Sequence, residues 1–278
     1  IYYKFMTVQV LYKNKDNSNN EVFFLGENFN INDLKKHVSS SDLLYIKEIL
    51  KNSNLKKKIL SFDLNPKKKL ILIAVKQKLE NSNVENLGAE LYNYIKNNNI
   101  NKLSINSNSL NSRSEKDFIS HFLHGLKLKS YEFNIYKSKK EKKLILLNII
   151  GKKNNLAIKN ELKFKALEKG TNFARDLVSE PPNVLNPKEY VNRLLKLKKL
   201  GIKVTVYNEN QLKKLGMYSL LGVGRGSVNE SFLVTLEWNG NKKDKKGPLS
   251  FVGKGVCFDT GGISLKPAKF MEEMKYDM

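Results

Sequence analysis

The sequence predicts an α/β fold: an N-terminal α/β domain built on a mixed sheet, followed by a second α/β unit that reads as incomplete. Three observations predict it. Strand-length apolar runs such as "LILIAV" (Leu70–Val75) and "LILLNII" (Leu144–Ile150) punctuate the first half. Among them lies a stretch with apolar residues at helical spacing: Val84, Leu87, Leu91, Tyr94 and Ile95. From Ala157 onward helix and strand patterns alternate again. Such alternation favours a sheet layered with helices.

Taken in order, Tyr2–Tyr12, Glu21–Leu25, Lys58–Phe62 and Leu70–Val75 are rich in β-branched and aromatic residues and read as strands. Val84–Lys96 reads as an amphipathic helix and Asn101–Ile105 as a strand. Ser114–Leu126 reads as a helix with Ser114 as N-cap and Asp117 in its first turn. Tyr131–Tyr136 and Leu144–Ile150 are strands again. Polar "GKKNN" (Gly151–Asn155) is the expected boundary, giving domains at 1–155 and 156–278. A long helix then runs from Ala157 to about Ser179, where Pro181-Pro182 ends it. A second helix starts at Pro187, suited to a first turn, and stops at Gly201. Ile202–Tyr207 reads as a strand, Glu209–Leu215 as a short helix, and Ser231–Trp238 and Leu249–Cys257 as strands.

Composition narrows the class. At 278 residues and 40% hydrophobic the chain is long enough for one large domain or two ordinary ones. The formal charge of +23 would attract polyanions. Its lysines come in short scattered runs without interleaved aromatics, so a solvated lysine-rich surface is favoured over a nucleic-acid face. Cys257 is the only cysteine, which fits a reducing compartment. No apolar run is long enough for a membrane helix, so no membrane partner is expected. The sequence begins at Ile1, which leaves a targeting segment open.

Several chemical candidates are weak. His121 and His124 stand three apart on a predicted helix and could share a metal, but helix packing is favoured for want of nearby carboxylates on that helix. "LGVGRGS" (Leu221–Ser227) lacks dinucleotide spacing and reads as a tight backbone turn. "VGKGVCFDTGGISLK" (Val252–Lys266) is stronger. Lys254 at the end of an apolar run needs a partner. Asp259 supplies one, either as a simple salt bridge or as a fellow ligand of a dication. Asp277 could add a carboxylate, and Gly261-Gly262 would let the backbone approach the site closely. The residues alone leave salt bridge and metal site open.

Four ordered motifs carry a resemblance: "NFARDLVSEPPNVLNP" (Asn172–Pro187), "LGMYSLLGVGRGS" (Leu215–Ser227), "VGKGVCFDTGGISLKP" (Val252–Pro267) and "MEEMKYDM" (Met271–Met278). From about Ala166 onward the chain resembles the leucyl aminopeptidase family, the two-metal cytosolic leucine aminopeptidases. The resemblance implies that 156–278 is the start of a truncated catalytic domain. It implies Lys254, Asp259 and Asp277 as metal ligands, with Asp259 bridging two divalent ions (Zn2+ and/or Mn2+). It also implies Lys266 as the catalytic lysine and Met274 in the pocket for the first side chain. These five residues would together bind substrate, a peptide with a free N-terminus and an apolar, leucine-like first residue. A hydroxide bridging the two metals would attack the scissile carbonyl, and Lys266 would stabilise the oxyanion. A cytoplasmic homo-hexamer is implied for the complete protein, as is bicarbonate as general base. Two further ligands and the bicarbonate arginine are expected beyond Met278, so the 278 residues alone are expected to be inactive. Cys257 reads as a small buried hydrophobe, and Arg175, Asp176 and Glu180 as pairing residues. The alternatives are a basic nucleic-acid-binding protein and a non-catalytic truncated paralogue.

Overall fold

Alternation along the central strands places one set of side chains on each face of a six-stranded sheet. The structure, a computed structural model, describes residues 8–15, 18–55, 57–110, 117–138, 144–151, 155–241, 243 and 247–278. Its first unit ends at Asn172 and its second is Phe173–Met278. The first contains strands β1 (Val8–Lys13), β2 (Asn20–Gly26), β3 (Ile59–Asn65), β4 (Lys68–Val75), β5 (Lys102–Asn106) and β6 (Ile145–Ile150). Their order is β1-β6-β5-β2-β4-β3, with every pair parallel except β3–β4. This is the mixed α/β sheet that the sequence predicts.

Helices α2 (Asn81–Asn97) and α3 (Phe118–Lys129) cover one face. Val22 and Phe24 of β2, Ile71 and Ile73 of β4, and Leu103 and Ile105 of β5 meet Leu87, Leu91, Phe118 and Phe122 there. The intervening residues Phe23, Leu25, Leu70 and Leu72 point the other way, onto Leu34 of a 3-10 turn and Ile46 of α1 (Ser40–Lys51). Central strands buried on both faces are apolar throughout, which is why β2 and β4 read as continuous runs. Each Leu or Ile sealed this way contributes about 1.5–3 kcal/mol relative to exposure.

Two glycines set the spacing of α2 and α3. A Cβ on Gly88 would strike the carbonyl oxygen of Phe122, and one on Gly125 would strike that of Glu85. Reciprocal glycines therefore let the two backbones touch. Beside them His121 Nδ1 lies 2.8 Å from Glu85 Oε1 and His124 Nδ1 3.4 Å from Glu168 Oε1, with the Phe164 ring against both imidazoles. The histidines thus pack α4 (Asn155–Ser179), and among the described residues they share no metal cluster.

In the second unit α5 (Pro187–Leu195) starts on Asn186, whose side chain accepts from Glu189 N, and carries Pro187 in its first turn. A 3-10 turn, Lys196–Leu200, closes on Gly201 at φ +82°. β7 (Lys203–Tyr207) pairs antiparallel with β8 (Leu233–Glu237) in a two-stranded ladder. Between them lie α6 (Glu209–Lys214), begun by an Asn208–Gln211 capping box, and α7 (Tyr218–Gly224).

The structure corrects several expectations. Tyr131–Tyr136 forms no strand, and helix α1 stands where none was predicted. "LGVGRGS" is helical through Gly224 before it turns. Leu249–Cys257 is not a strand: it pairs with neither β7 nor β8, and an extended segment becomes a strand only when another pairs with it. α3 begins at Phe118, so Asp117 is its N-cap, without a side-chain capping bond; Ser114 and the start of Tyr2–Tyr12 lie outside the described residues. Of the expected boundary, residues 152–154 also lie outside them. Phe164 and Glu168 of α4 pack within the first unit, and the division between units falls inside this helix.

Candidate metal centre

The site is built by the loop that follows residues 247–258. Asp259 ends an irregular extended segment, and the chain then reverses at Gly261 (φ +90°) and Gly262 (φ +74°). A side chain at Gly261 would strike the carbonyl oxygen of Ser264, so the reversal needs glycine for both conformation and space. The tight loop is closed by Lys266 N donating to Thr260 O at 2.9 Å. It is held a second time by Gly261 N donating to Asp259 Oδ1 at 2.9 Å.

The reversal brings Lys266 back over Asp259. Lys266 Nζ donates to Asp259 Oδ2 at 3.2 Å and to Met274 Sδ at 3.0 Å, and lies 3.5 Å from Asp277 Oδ2. Met274 and Asp277 sit on a final 3-10 turn, Met271–Asp277, entered through Phe270 at φ +66°. Four of the five residues singled out in the sequence therefore converge: Asp259, Lys266, Met274 and Asp277. The fifth, Lys254, is exposed and makes no hydrogen bond or ion pair among the described residues; its charge acts on Asp259 through space.

The electrostatics follow from these contacts. The Gly261 N–H, then the Lys266 ammonium, hold the Asp259 carboxyl below the usual aspartate range. The Asp259 carboxylate in turn raises Lys266 above an ordinary lysine, with Asp277 adding to it. The site is open, with the Lys266 and Asp259 side chains 35% and 44% exposed, so water screens these charges.

Does the donor set suit a divalent ion? Two carboxylate oxygens already share one centre of positive charge, the Lys266 ammonium, and carboxylate oxygens are ordinary ligands of such ions. Lys254, on the segment that leads into the loop, could add a nitrogen ligand only in its neutral form. The chemistry fits, although no three His, Cys, Asp or Glu side chains cluster among the described residues.

Glu180 pairs as the sequence reading expects, whereas its partner Arg193 and the neighbouring Tyr190 were missed. Glu180, 6% exposed, accepts from Arg193 Nη1 at 3.0 Å, and Glu189 accepts from Arg193 Nε at 3.0 Å. Tyr190 of the same helix lies against Gly255, and Cys257 is partly buried, which pushes its thiol pKa up. The Glu189–Arg193 spacing of four residues was a readable signal for the pair.

Residues 172–278 match the model of the "Cytosol aminopeptidase family, catalytic domain". Relatives described as "Probable cytosol aminopeptidase" are 42% identical over 183 residues in Phytoplasma australiense and 48% identical over 159 residues in Chelativorans sp.. The first alignment covers 65% of this chain and 37% of the relative, the second 55% and 32%. The chain thus spans about a third of the length of these relatives. Among solved structures, "Bottromycin maturation enzyme BotP in complex with Mn" superposes with a TM-score of 0.66 at 19% identity, over 94% of this chain and 53% of that one. At that identity the likeness speaks for the fold. The match to the catalytic domain of the cytosol aminopeptidase family covers the whole of the loop, the turn and the converging side chains.

Proposed function

We propose that the protein carrying this segment is a metal-dependent aminopeptidase that releases apolar, leucine-like residues from the free N-terminus of peptides. The observation that carries the reading is the convergence of Asp259, Asp277 and Met274 on Lys266 inside the family-matched segment. Lys254, Asp259 and Asp277 would hold the metal, a pair of Zn2+ and/or Mn2+ ions with Asp259 between them. The metal supplies Lewis acidity and lowers the pKa of water near neutrality. Lys266 is already an ammonium with its charge directed into the site, and there it donates a hydrogen bond to the oxyanion that develops on the scissile carbonyl. Met274 offers a polarizable wall to the first side chain. The Gly261 N–H holds the Asp259 carboxyl below the usual aspartate range, which favours the carboxylate form that a ligand needs. Bicarbonate, a homo-hexamer and a cytoplasmic location belong to the same reading of the complete protein. The 278 residues alone supply three ligands and are proposed to bind metal without turnover.

The test is hydrolysis of leucine amide by the protein carrying this segment, in Mn2+, beside direct Mn2+ binding by the 278-residue chain. Asp259→Asn should abolish both. Lys266→Ala should lower kcat by about 10²–10³-fold, the effect of removing one oxyanion donor. Undiminished metal binding in Asp259→Asn would sink the assignment.

A further inference from the structure

Lys254 and Asp259 flank a stretch without helix or strand, so nothing in its own backbone fixes their separation. What lies against it is Tyr190. A Cβ built on Gly255 would stand 2.9 Å from Tyr190 Cε1 and 3.6 and 3.8 Å from Cδ1 and Cζ. The ring edge therefore presses on the backbone immediately after Lys254, at a distance that admits hydrogen but no methyl group. Gly255 is not among the glycines with positive φ, so alanine would be tolerated there were the ring absent. Tyr190 and Cys257, two residues before Asp259, are both partly buried.

The ring is mounted on the best-anchored helix of this unit. α5 is capped by Asn186, and Arg193 one turn on from Tyr190 bonds both Glu189 and the buried Glu180. A fixed aromatic surface thus lies beneath an irregular loop that presents a ligand at each end.

We propose that Tyr190 is a positioning residue for the metal centre: its ring, seated against Gly255, sets the spacing of Lys254 and Asp259. The inference rests on the metal-site reading above. It assigns the role to the ring face and edge, not to the hydroxyl. Groups that hold metal ligands in place are typically worth 10–100-fold in metal affinity, and this contact belongs in that class.

The experiment is equilibrium Mn2+ titration of the 278-residue chain, with thermal unfolding by circular dichroism beside it. Tyr190→Phe keeps the ring and should bind within about twofold of the parent. Tyr190→Ala removes the floor, and Gly255→Ala pushes the loop off it; each should weaken Mn2+ binding about tenfold or more. Gly255→Ala changes an exposed loop, so it reports even if Tyr190→Ala unfolds. Tyr218→Ala alters an exposed tyrosine of the same unit and should leave affinity unchanged. If Asp259→Asn loses Mn2+ while Tyr190→Ala and Gly255→Ala bind as the parent does, Tyr190 has no positioning role and the metal site stands. If the parent binds no Mn2+, or Asp259→Asn binds it equally, the site reading falls and this inference falls with it.

Discussion

Asp259 answers to two donors of different kinds, one fixed and one flexible. The Gly261 N–H is part of a loop that only glycine can form, whereas Lys266 reaches in on a long side chain shared with Met274 and Asp277. Because the Gly261 N–H, the first of its causes, stays in place, Lys266→Met should move the Asp259 titration only part of the way back toward an ordinary aspartate. The sign follows from linkage. A carboxyl whose folded pKa is depressed stabilises the loop above its unfolded pKa, and loses that contribution as pH falls through the folded value. The carboxyl carbon shift of Asp259, followed against pH in the metal-free chain, checks this. A complete return to ordinary behaviour in Lys266→Met would mean that the lysine, not the loop, controls the group. Asp259, Asp277 and the paired glycines were readable from the residues themselves, whereas Lys266 and Met274 came from the family resemblance. Asp259, Lys266, Met274 and Asp277 meet because their motif fixes the turn, and glycines at 261 and 262 announce it. Tyr190 was not readable, since its partner Gly255 is 65 positions away and a ring edge on a backbone leaves no local pattern.

At the scale of elements, α5 and the α2–α3 pair each turn on one contact. Glu180 and Arg193 form a largely buried ion pair, with side chains 5% and 16% exposed. Removing one partner leaves a charge stranded away from water, so Glu180→Ala should destabilise the second unit by about 3 kcal/mol, near the low end for such pairs because Glu189 still holds Arg193. Trp238, the chain's only tryptophan, lies in that unit and reports its unfolding in denaturant. For α2, Gly88→Ala inverts the usual rule. On an exposed helix the change would stabilise by about 1 kcal/mol. Here the new Cβ meets the Phe122 carbonyl, a backbone atom that cannot rotate away, so a net loss of about 1–3 kcal/mol is expected from denaturation of the first unit. A stabilised Gly88→Ala would mean that the helices stand further apart. These elements also show where sequence reading succeeds. β2, β4, β6 and α2 were legible because their own side chains carry the period of a buried element. α1 was legible in principle, with Ser39 capping at Asp42 N and Ile46 fully buried, but its hydrophobic face is narrow and its polar neighbours hid it. Leu249–Cys257 misled because an apolar run states that burial is favourable, not which strand will provide a partner.

The contrast between the two units governs behaviour at the scale of the whole molecule. In the first, β2, β4 and β5 are paired on both sides and sealed by side chains at or near zero exposure, including Val22, Phe24, Ile71, Ile73, Leu103 and Ile105. Their amides can exchange with solvent only when that core opens. In the second, residues 247–256 have no helix or ladder bonds, and Leu249, Phe251 and Val252 are 82%, 88% and 100% exposed. Local opening at 249–253, ahead of the Tyr190 contact at Gly255, needs no disruption of packing. Native-state hydrogen exchange should therefore show central-strand amides protected up to the global stability of their unit, while amides of 249–253 exchange within the fastest group. The loop from Asp259 to Lys266 lies between these limits: Lys266 N and Gly261 N are both bonded, yet Gly261 is exposed and Lys266 only partly buried. Mn2+ should slow exchange at these two amides selectively, because an ion that ties Asp259 to Asp277 must hold the loop closed to stay bound. Protection that rises equally across β2 and β4 would place the ion elsewhere. Slowing confined to 254–266 would join the loop's order to its ligand, and would do so without any assay of turnover.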